Sequence, residues 1–296
     1  MQFPAEVNDW FVWLSPVRMP VLMFLSGMLL DRSLAKPIAG YIDGKLRHIA
    51  WPYVVWALLT ALVTRRPESV AEAEHWVAGP FHLWFLVVLL ALYAFGAVTR
   101  HVPPVIVAMI FAGASLLSPV EYLPVERLFY FGVFFFVGCA VSRHAQLVTK
   151  LGAWWPAAGT ALLAAHVAAD GRLFDGSPAA ETLPGTIALV VVAVWLATRL
   201  PRLPLIEVLG RHSIVFYTAH FTGVHLAAEL GSYLHLGTTA LYALALAGGL
   251  GLPSALLLLR RWTGVLFALP RRREMATPAP RVAERAPFVD VPLVRS

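Results

Sequence analysis

An all-α bundle of about nine membrane-spanning helices is what this sequence predicts. Apolar stretches follow one another along its 296 residues. Each lies near the ~17–25 residues that a helix needs to cross hydrocarbon. Only 14% of the residues are charged, 59% are hydrophobic, and the mean hydropathy is +0.71, which excludes an ordinary soluble enzyme. Lys and Arg concentrate in alternate joints between the stretches, as the positive-inside rule asks of a polytopic protein.

The first expected span, 12–30, contains Pro20 and then Phe24-Leu25-Ser26-Gly27, whose small residues let a neighbouring helix approach closely. The second, 48–64, starts in a basic stretch and holds Pro52; the third, 81–99, opens on His82-Leu83-Trp84-Phe85-Leu86. The fourth and fifth, 102–117 and 127–141, are short and read as tilted or partly re-entrant. The sixth, 151–168, carries Pro156; the seventh is 183–200. The eighth, 209–230, starts at Arg211-His212-Ser213, with Ser213 placed to cap it, and the ninth is 238–259. Membrane helices tolerate such prolines where neighbours satisfy the freed backbone groups. Residues 1–270 thus form one membrane domain, while 271–296, rich in Pro, Arg, Ala and Glu, read as a disordered cytoplasmic tail.

The formal net charge of +6 does not point to nucleic acid, because the basic residues lie in joints and in the tail. The joint after the first span carries Arg32, Lys36, Lys45 and Arg47; later basic joints carry Arg100, Arg143 with Lys150, and Arg199, Arg202 and Arg211. The second and sixth joints are diluted by Glu68, Glu72 and Glu74, and by Asp170, Asp175 and Glu181. The basic set faces the cytoplasm and the acidic set faces outside. That alternation puts the N-terminus outside, although no secretory signal precedes it. The expectation is therefore a ten-span protein without its first span. Cys139, the lone cysteine, reads as a small apolar core residue.

Few polar residues remain to carry chemistry. Arg18 lies toward the outer end of the first span, where an arginine snorkels to the interface or pairs inside the bundle. Lys45, Arg47 and His48 form a basic cluster at the inner mouth of the second span, suited to a phosphorylated cofactor from the cytosol or to anchoring topology. His82, at the outer end of the third span, is a titratable group able to act as a base. His220 lies two turns into the eighth span, ~12 Å beyond His212, with His225 farther on. A buried histidine in lipid is a functional candidate, or the partner in an interhelical hydrogen bond.

These segments, in this order, resemble the acyltransferase-3 family of integral-membrane O-acyltransferases. The resemblance rests on Arg18, Pro20 and Leu25-Ser26-Gly27; on the basic stretch from Lys45 to Pro52 and Tyr53; on His82 to Leu86; and on Leu209-Gly210-x-x-Ser213-(x)3-Tyr217-x-x-His220. It implies ten spans and transfer of an acyl group, usually acetyl, from cytosolic acyl-CoA to a hydroxyl of a glycan or lipid-linked acceptor. It implies Lys45, Arg47 and His48 for the CoA phosphates. The family's catalytic candidate is a histidine in a first span that has no counterpart here, which leaves His82 and His220 as the catalytic candidates.

The expected protein is therefore a multi-pass acyltransferase of the bacterial inner membrane, using acetyl-CoA as donor and no metal, and modifying cell-envelope polysaccharide by O-acetylation. Its partners are acyl-CoA, a hydroxyl acceptor and membrane lipid, with no nucleic acid. Two rivals accompany this reading: a catalytically inactive, N-terminally truncated relative, and a transporter or flippase of an acylated lipid or glycan. Reporter fusions are expected to place the stretch around Lys45 inside the cell and that around Glu72 outside; a common side for both would overturn the donor assignment.

Overall fold

The computed structural model describes residues 5–117, 122–150, 152–169, 171–173, 178–201 and 204–270. Among the described residues there are helices and no strands. Nine long helices match the nine expected spans: α1 (Ala5–Met28), α2 (Ile38–Val63), α3 (Phe81–Val98), α4 (Pro104–Leu117), α5 (Leu123–Arg143), α6 (Trp154–Ala168), α7 (Leu183–Arg199), α8 (Ser213–Tyr233) and α9 (Thr238–Leu258). Among the described residues five segments are long and apolar enough to cross a membrane: α2, α3, α5, α9 and Ala180–Ala197, which holds most of α7. The expected tail at 271–296 lies outside the described residues.

α5 is the centre of the bundle. Tyr130, Phe131, Val133, Phe134, Phe135, Phe136 and Cys139 on it are all buried, so the helix is covered on every face. α1, α3 and α4 pack against it. This span was expected to be short and weak, because Glu126, Arg127 and Arg143 depress its apolar character. In fact it runs for 21 residues, since protein rather than lipid surrounds it. Its buried Tyr130 hydroxyl bonds to the hydroxyls of Thr182 at 2.8 Å and Thr186 at 3.2 Å. That satisfies a phenol which would be costly to leave unpaired in such a place.

Contact between α1 and α5 depends on two glycines. A Cβ at Gly27 would run into the carbonyl oxygen of Phe135, and one at Gly138 into that of Phe24. The backbones thus touch reciprocally, and the Ser26-Gly27 packing role read from sequence is what the structure shows. α8 and α9 form a second tight pair through Gly223 and Gly248.

Two elements differ from expectation in ways that move functional residues. α2 starts at Ile38, ten residues earlier than expected, and carries one wide π turn at Leu46–Ala50 just before Pro52. Proline lacks a donor and clashes with the preceding turn, and the wider turn absorbs that mismatch. Lys45, Arg47 and His48 therefore sit inside a continuous helix rather than at its mouth. The eighth span is broken at His212: a short helix, Pro204–Arg211, precedes α8, and the cap position falls on His212, which makes no side-chain capping bond, rather than on Ser213.

Cross-links sort the joints onto two ends. At one end Arg143 grips Asp31 through Nε at 2.9 Å and Nη2 at 2.6 Å, and the segment after α9 is tied to α2 by Leu269 N to Arg47 O at 3.2 Å. At the other, Arg65 faces Glu229 at 3.9 Å and the Tyr122 hydroxyl donates to Glu74 at 2.8 Å. That hydrogen bond to a carboxylate raises the Tyr122 pKa. The basic and acidic joints thus gather at opposite ends, as their charge pattern predicts.

Gly27→Ala and Gly138→Ala should each destabilise the protein by about 1–3 kcal/mol, the usual cost of overpacking. The double variant should lose less than the sum, because both changes separate the same helix pair. Thermal unfolding in detergent checks this; unchanged melting in either single variant would contradict the close contact.

Candidate functional site

The loop between α2 and α3 does not stay at the bundle's end. After Arg65 it makes two short turns, Pro67–Ala71 and Ala73–Val77, and folds down among the helices. Tyr53 donates its hydroxyl to the Trp76 carbonyl at 2.7 Å, and the Trp76 indole donates to the Val70 carbonyl at 2.9 Å. Tyr53 lies ten residues before the end of α2 at Val63, which is ~15 Å down the helix. These bonds answer polar groups that lipid would leave unsatisfied. α3 consequently starts deep in the bundle, and His82, although at the helix end, is at mid-depth.

The chain reaches His82 through Gly79 at φ 74° and Phe81 at φ 49°, both in the left-handed region. A left-handed phenylalanine costs roughly 1–3 kcal/mol and persists only where surroundings enforce it. Here the Phe81 ring stacks on Phe221 of α8, with centroids 4.5 Å apart. That turn aims His82 at α8.

His82 and His220, 138 positions apart in the chain, come together with ring centroids 4.8 Å apart. His82 Nε2 lies 3.3 Å from the Thr218 carbonyl, and His220 Nδ1 lies 2.8 Å from the Tyr217 carbonyl and 3.1 Å from that of Phe216. A carbonyl only accepts, so each contacting nitrogen carries the proton. The backbone thereby sets both tautomers and leaves lone pairs on His82 Nδ1 and His220 Nε2. His82 Nδ1 is buried without a partner. Tyr217 closes the arrangement by donating its hydroxyl to the backbone carbonyl of His82.

Cations surround this pair. Arg18 of α1 is within electrostatic reach of both Tyr217 and His220. Arg127 of α5 acts on Tyr217 as well, and its guanidinium lies over the Trp84 ring at 4.4 Å. Neither arginine has a carboxylate within ion-pairing distance among the described residues. Arg18 itself is exposed. His225 stands apart from the pair, its Nε2 3.8 Å from Glu229.

The basic cluster on α2 does not converge. Lys45 places its ammonium over the Tyr93 ring at 3.2 Å and the Tyr41 ring at 5.3 Å. It lines an apolar groove of about 380 Å³ between α2 and α3 with Ile38, Ile42 and Leu90. Arg47 points elsewhere: Nε bonds Asp43 at 2.6 Å and Nη1 bonds the Leu269 carbonyl at 3.0 Å. His48 is exposed. Residues two apart on a helix diverge, so a cluster in sequence need not be a cluster in space.

Sequence reading found both histidines but not what holds them. It treated Tyr217 as a motif letter and did not single out Arg127 at the start of the fifth span. The available signal for Tyr217 was its position three residues before His220, on the same helical face.

A multi-pass membrane protein with a histidine pair at mid-bundle is the class this fold and site define. Residues 1–260 match the family model described as an acyltransferase domain, and the chain belongs to that acyltransferase-3 family. No curated protein and no solved structure matches it. Acyl transfer is the activity that the family points to, as the four sequence motifs implied.

Proposed function

We propose that the protein is an inner-membrane O-acyltransferase that moves an acyl group, acetyl in the simplest case, from cytosolic acyl-CoA to a hydroxyl of a glycan or lipid-linked acceptor. The observation carrying this reading is the His82–His220 pair, whose backbone-set tautomers leave an imidazole lone pair beside unpaired cations. In the reaction His220 Nε2 takes the proton of the acceptor hydroxyl as its oxygen attacks the thioester carbonyl. The tetrahedral intermediate carries an oxyanion, which the Arg18 guanidinium stabilises electrostatically. Collapse expels the CoA thiolate, which recovers the proton from His220. His82 holds α3 against α8 so that the two rings keep their relation, and its own lone pair is the second proton acceptor of the site.

Donor entry from the basic end fits the geometry. Lys45 sits there without a carboxylate partner among the described residues, at the edge of an apolar groove. From Tyr93, which carries its ammonium, to His82 is eleven residues of α3, or ~16 Å. A donor with a charged head and a long narrow arm spans that distance while its phosphates stay outside hydrocarbon. We assign Lys45 to the donor's phosphates; His48 is exposed and free to assist, and Arg47 holds the α2 start to the segment after α9.

Two measurements test these roles in nanodisc-embedded protein, following release of the CoA thiol from acetyl-CoA. His220→Ala should lower the rate about 10²–10⁴-fold, the typical worth of a positioned base, without changing membrane insertion. His82→Ala should also lower it. Unchanged turnover in both would remove the pair from catalysis. Lys45→Gln should raise the KM for acetyl-CoA roughly tenfold at constant kcat, the worth of one charge-assisted contact. Arg47→Gln should instead lower the melting temperature and spare KM. The reverse pattern would assign the donor to Arg47.

A further inference from the structure

A second cavity lies beside the histidine pair, on another face of α3 from the Lys45 groove. It measures about 180 Å³ and is lined by Val77, Trp84, Val88, Tyr122, Val125 and Arg127, among others. Its walls are the inserted α2–α3 loop, the face of α3 from Trp84 to Ala91, and the start of α5. At ~30 Å³ per liquid water, the volume holds one compact charged group with a few neighbouring carbons.

Arg127 is what makes this cavity unusual. A guanidinium stays charged under all conditions a protein meets. Partly buried arginines elsewhere in the described structure have acids: Arg47 has Asp43 and Arg143 has Asp31. Arg127 has none among the described residues, and its Nε is buried with no hydrogen-bond partner. Two carboxylates are near without answering it. Glu126, its neighbour in sequence, stays outside ion-pairing distance, and Glu74 is engaged by the Tyr122 hydroxyl. Stacking on Trp84 accounts for the position of the guanidinium plane, but stacking leaves its N–H edge unanswered. Burying a charged donor without an acceptor is costly, so the arrangement suits a ligand that brings the acceptor with it.

We propose that the Arg127 cavity reads an oxyanion on the acceptor, so that the molecule acylated carries a carboxylate or phosphate close to the reacting hydroxyl. This rests on the acyl-transfer reading and names the acceptor's chemical class. The guanidinium fork matches carboxylate and phosphate in a bidentate manner. The placement suits positioning: Trp84 is two residues from His82, and Arg127 acts on Tyr217, which bonds the His82 carbonyl. An anion anchored there presents the adjoining carbons to the histidine pair, and neutral acceptors lose that anchor.

Binding is tested without any acyl donor, in nanodiscs holding the full chain, so that the result does not depend on turnover. The probes are trigalacturonate against its neutral methyl ester, and a short polyprenyl phosphate against the corresponding polyprenol. One charged probe should bind at least tenfold tighter than its neutral counterpart, and the preference should weaken as salt is raised. Arg127→Gln should abolish the preference. Arg127→Lys, which keeps the charge and loses the fork, should retain part of it, and it serves as the test variant if Arg127→Gln fails to fold. Preference for trigalacturonate assigns a uronate-type acceptor, and preference for the phosphate assigns a lipid-linked one. Equal binding of charged and neutral probes, or a preference that survives in both Arg127 variants, overturns the proposal. Release of CoA from acetyl-CoA, measured separately on the same preparation, reports whether acyl transfer itself stands.

Discussion

Two hydrogen bonds running in opposite directions lock α3 to α8, and the candidate site exists because of them. His82 donates from Nε2 to the Thr218 carbonyl, and Tyr217 donates from its hydroxyl back to the His82 carbonyl. Each bond uses a backbone acceptor at a helix position where lipid offers no alternative, so breaking either exposes a polar group to a medium that cannot solvate it. The same two bonds decide chemistry. By fixing the proton on His82 Nε2 they free Nδ1, and by fixing the register of α8 they put the His220 ring beside it. A packing constraint and a tautomer are here one interaction.

That lock requires α3 to begin at the right depth, which the inserted loop provides. Its anchors, Tyr53 to Trp76 and Trp76 to Val70, sit well below the end of α2. The left-handed Phe81 is the strained element of this arrangement, and its ring stacks on Phe221 of the helix that His82 must meet. Strain at a non-glycine residue next to a functional side chain is where proteins commonly store the cost of positioning. α5, buried on all faces, supplies the rigid wall against which α1, α3 and α4 rest.

How much of this could be read from the chain follows from the physics of each feature. The spans were legible because hydrocarbon imposes length and apolarity on any helix that crosses it, and all nine expected segments are helical. The two ends were legible because charge sorts joints. α5 was undervalued because Glu126 and Arg127 dilute its apolar count, and a count cannot see that protein surrounds the helix. The structure brings His82 and His220 together, a pairing that was hidden in the sequence: His82 looked like an interface residue because nothing in a linear string shows that a loop folds inward. Lys45, Arg47 and His48 are adjacent in sequence, but their side chains diverge on the helix. Arg127, at the start of the fifth span, was passed over, and its orphaned Nε is what sets it apart.

The depth of the histidine pair also bears on the acyl transfer proposed above, in which two dissimilar substrates would have to reach one base. A thioester donor with several phosphates cannot enter hydrocarbon whole, because each desolvated charge carries a large penalty. A base placed at the basic end would meet the donor easily and leave the acceptor the full width of the bundle to cross. One placed at the acidic end would reverse the problem. Under the proposed reaction a mid-bundle base asks each substrate to extend only a limb: the donor from Lys45 along ~16 Å of α3, and the acceptor from the cavity beside Arg127 and Trp84. Cations at both approaches then have a common logic. In the proposed reaction each would hold the charged part of its substrate near water and let the uncharged reacting group, a thioester or a hydroxyl, enter the low-dielectric centre beside His220.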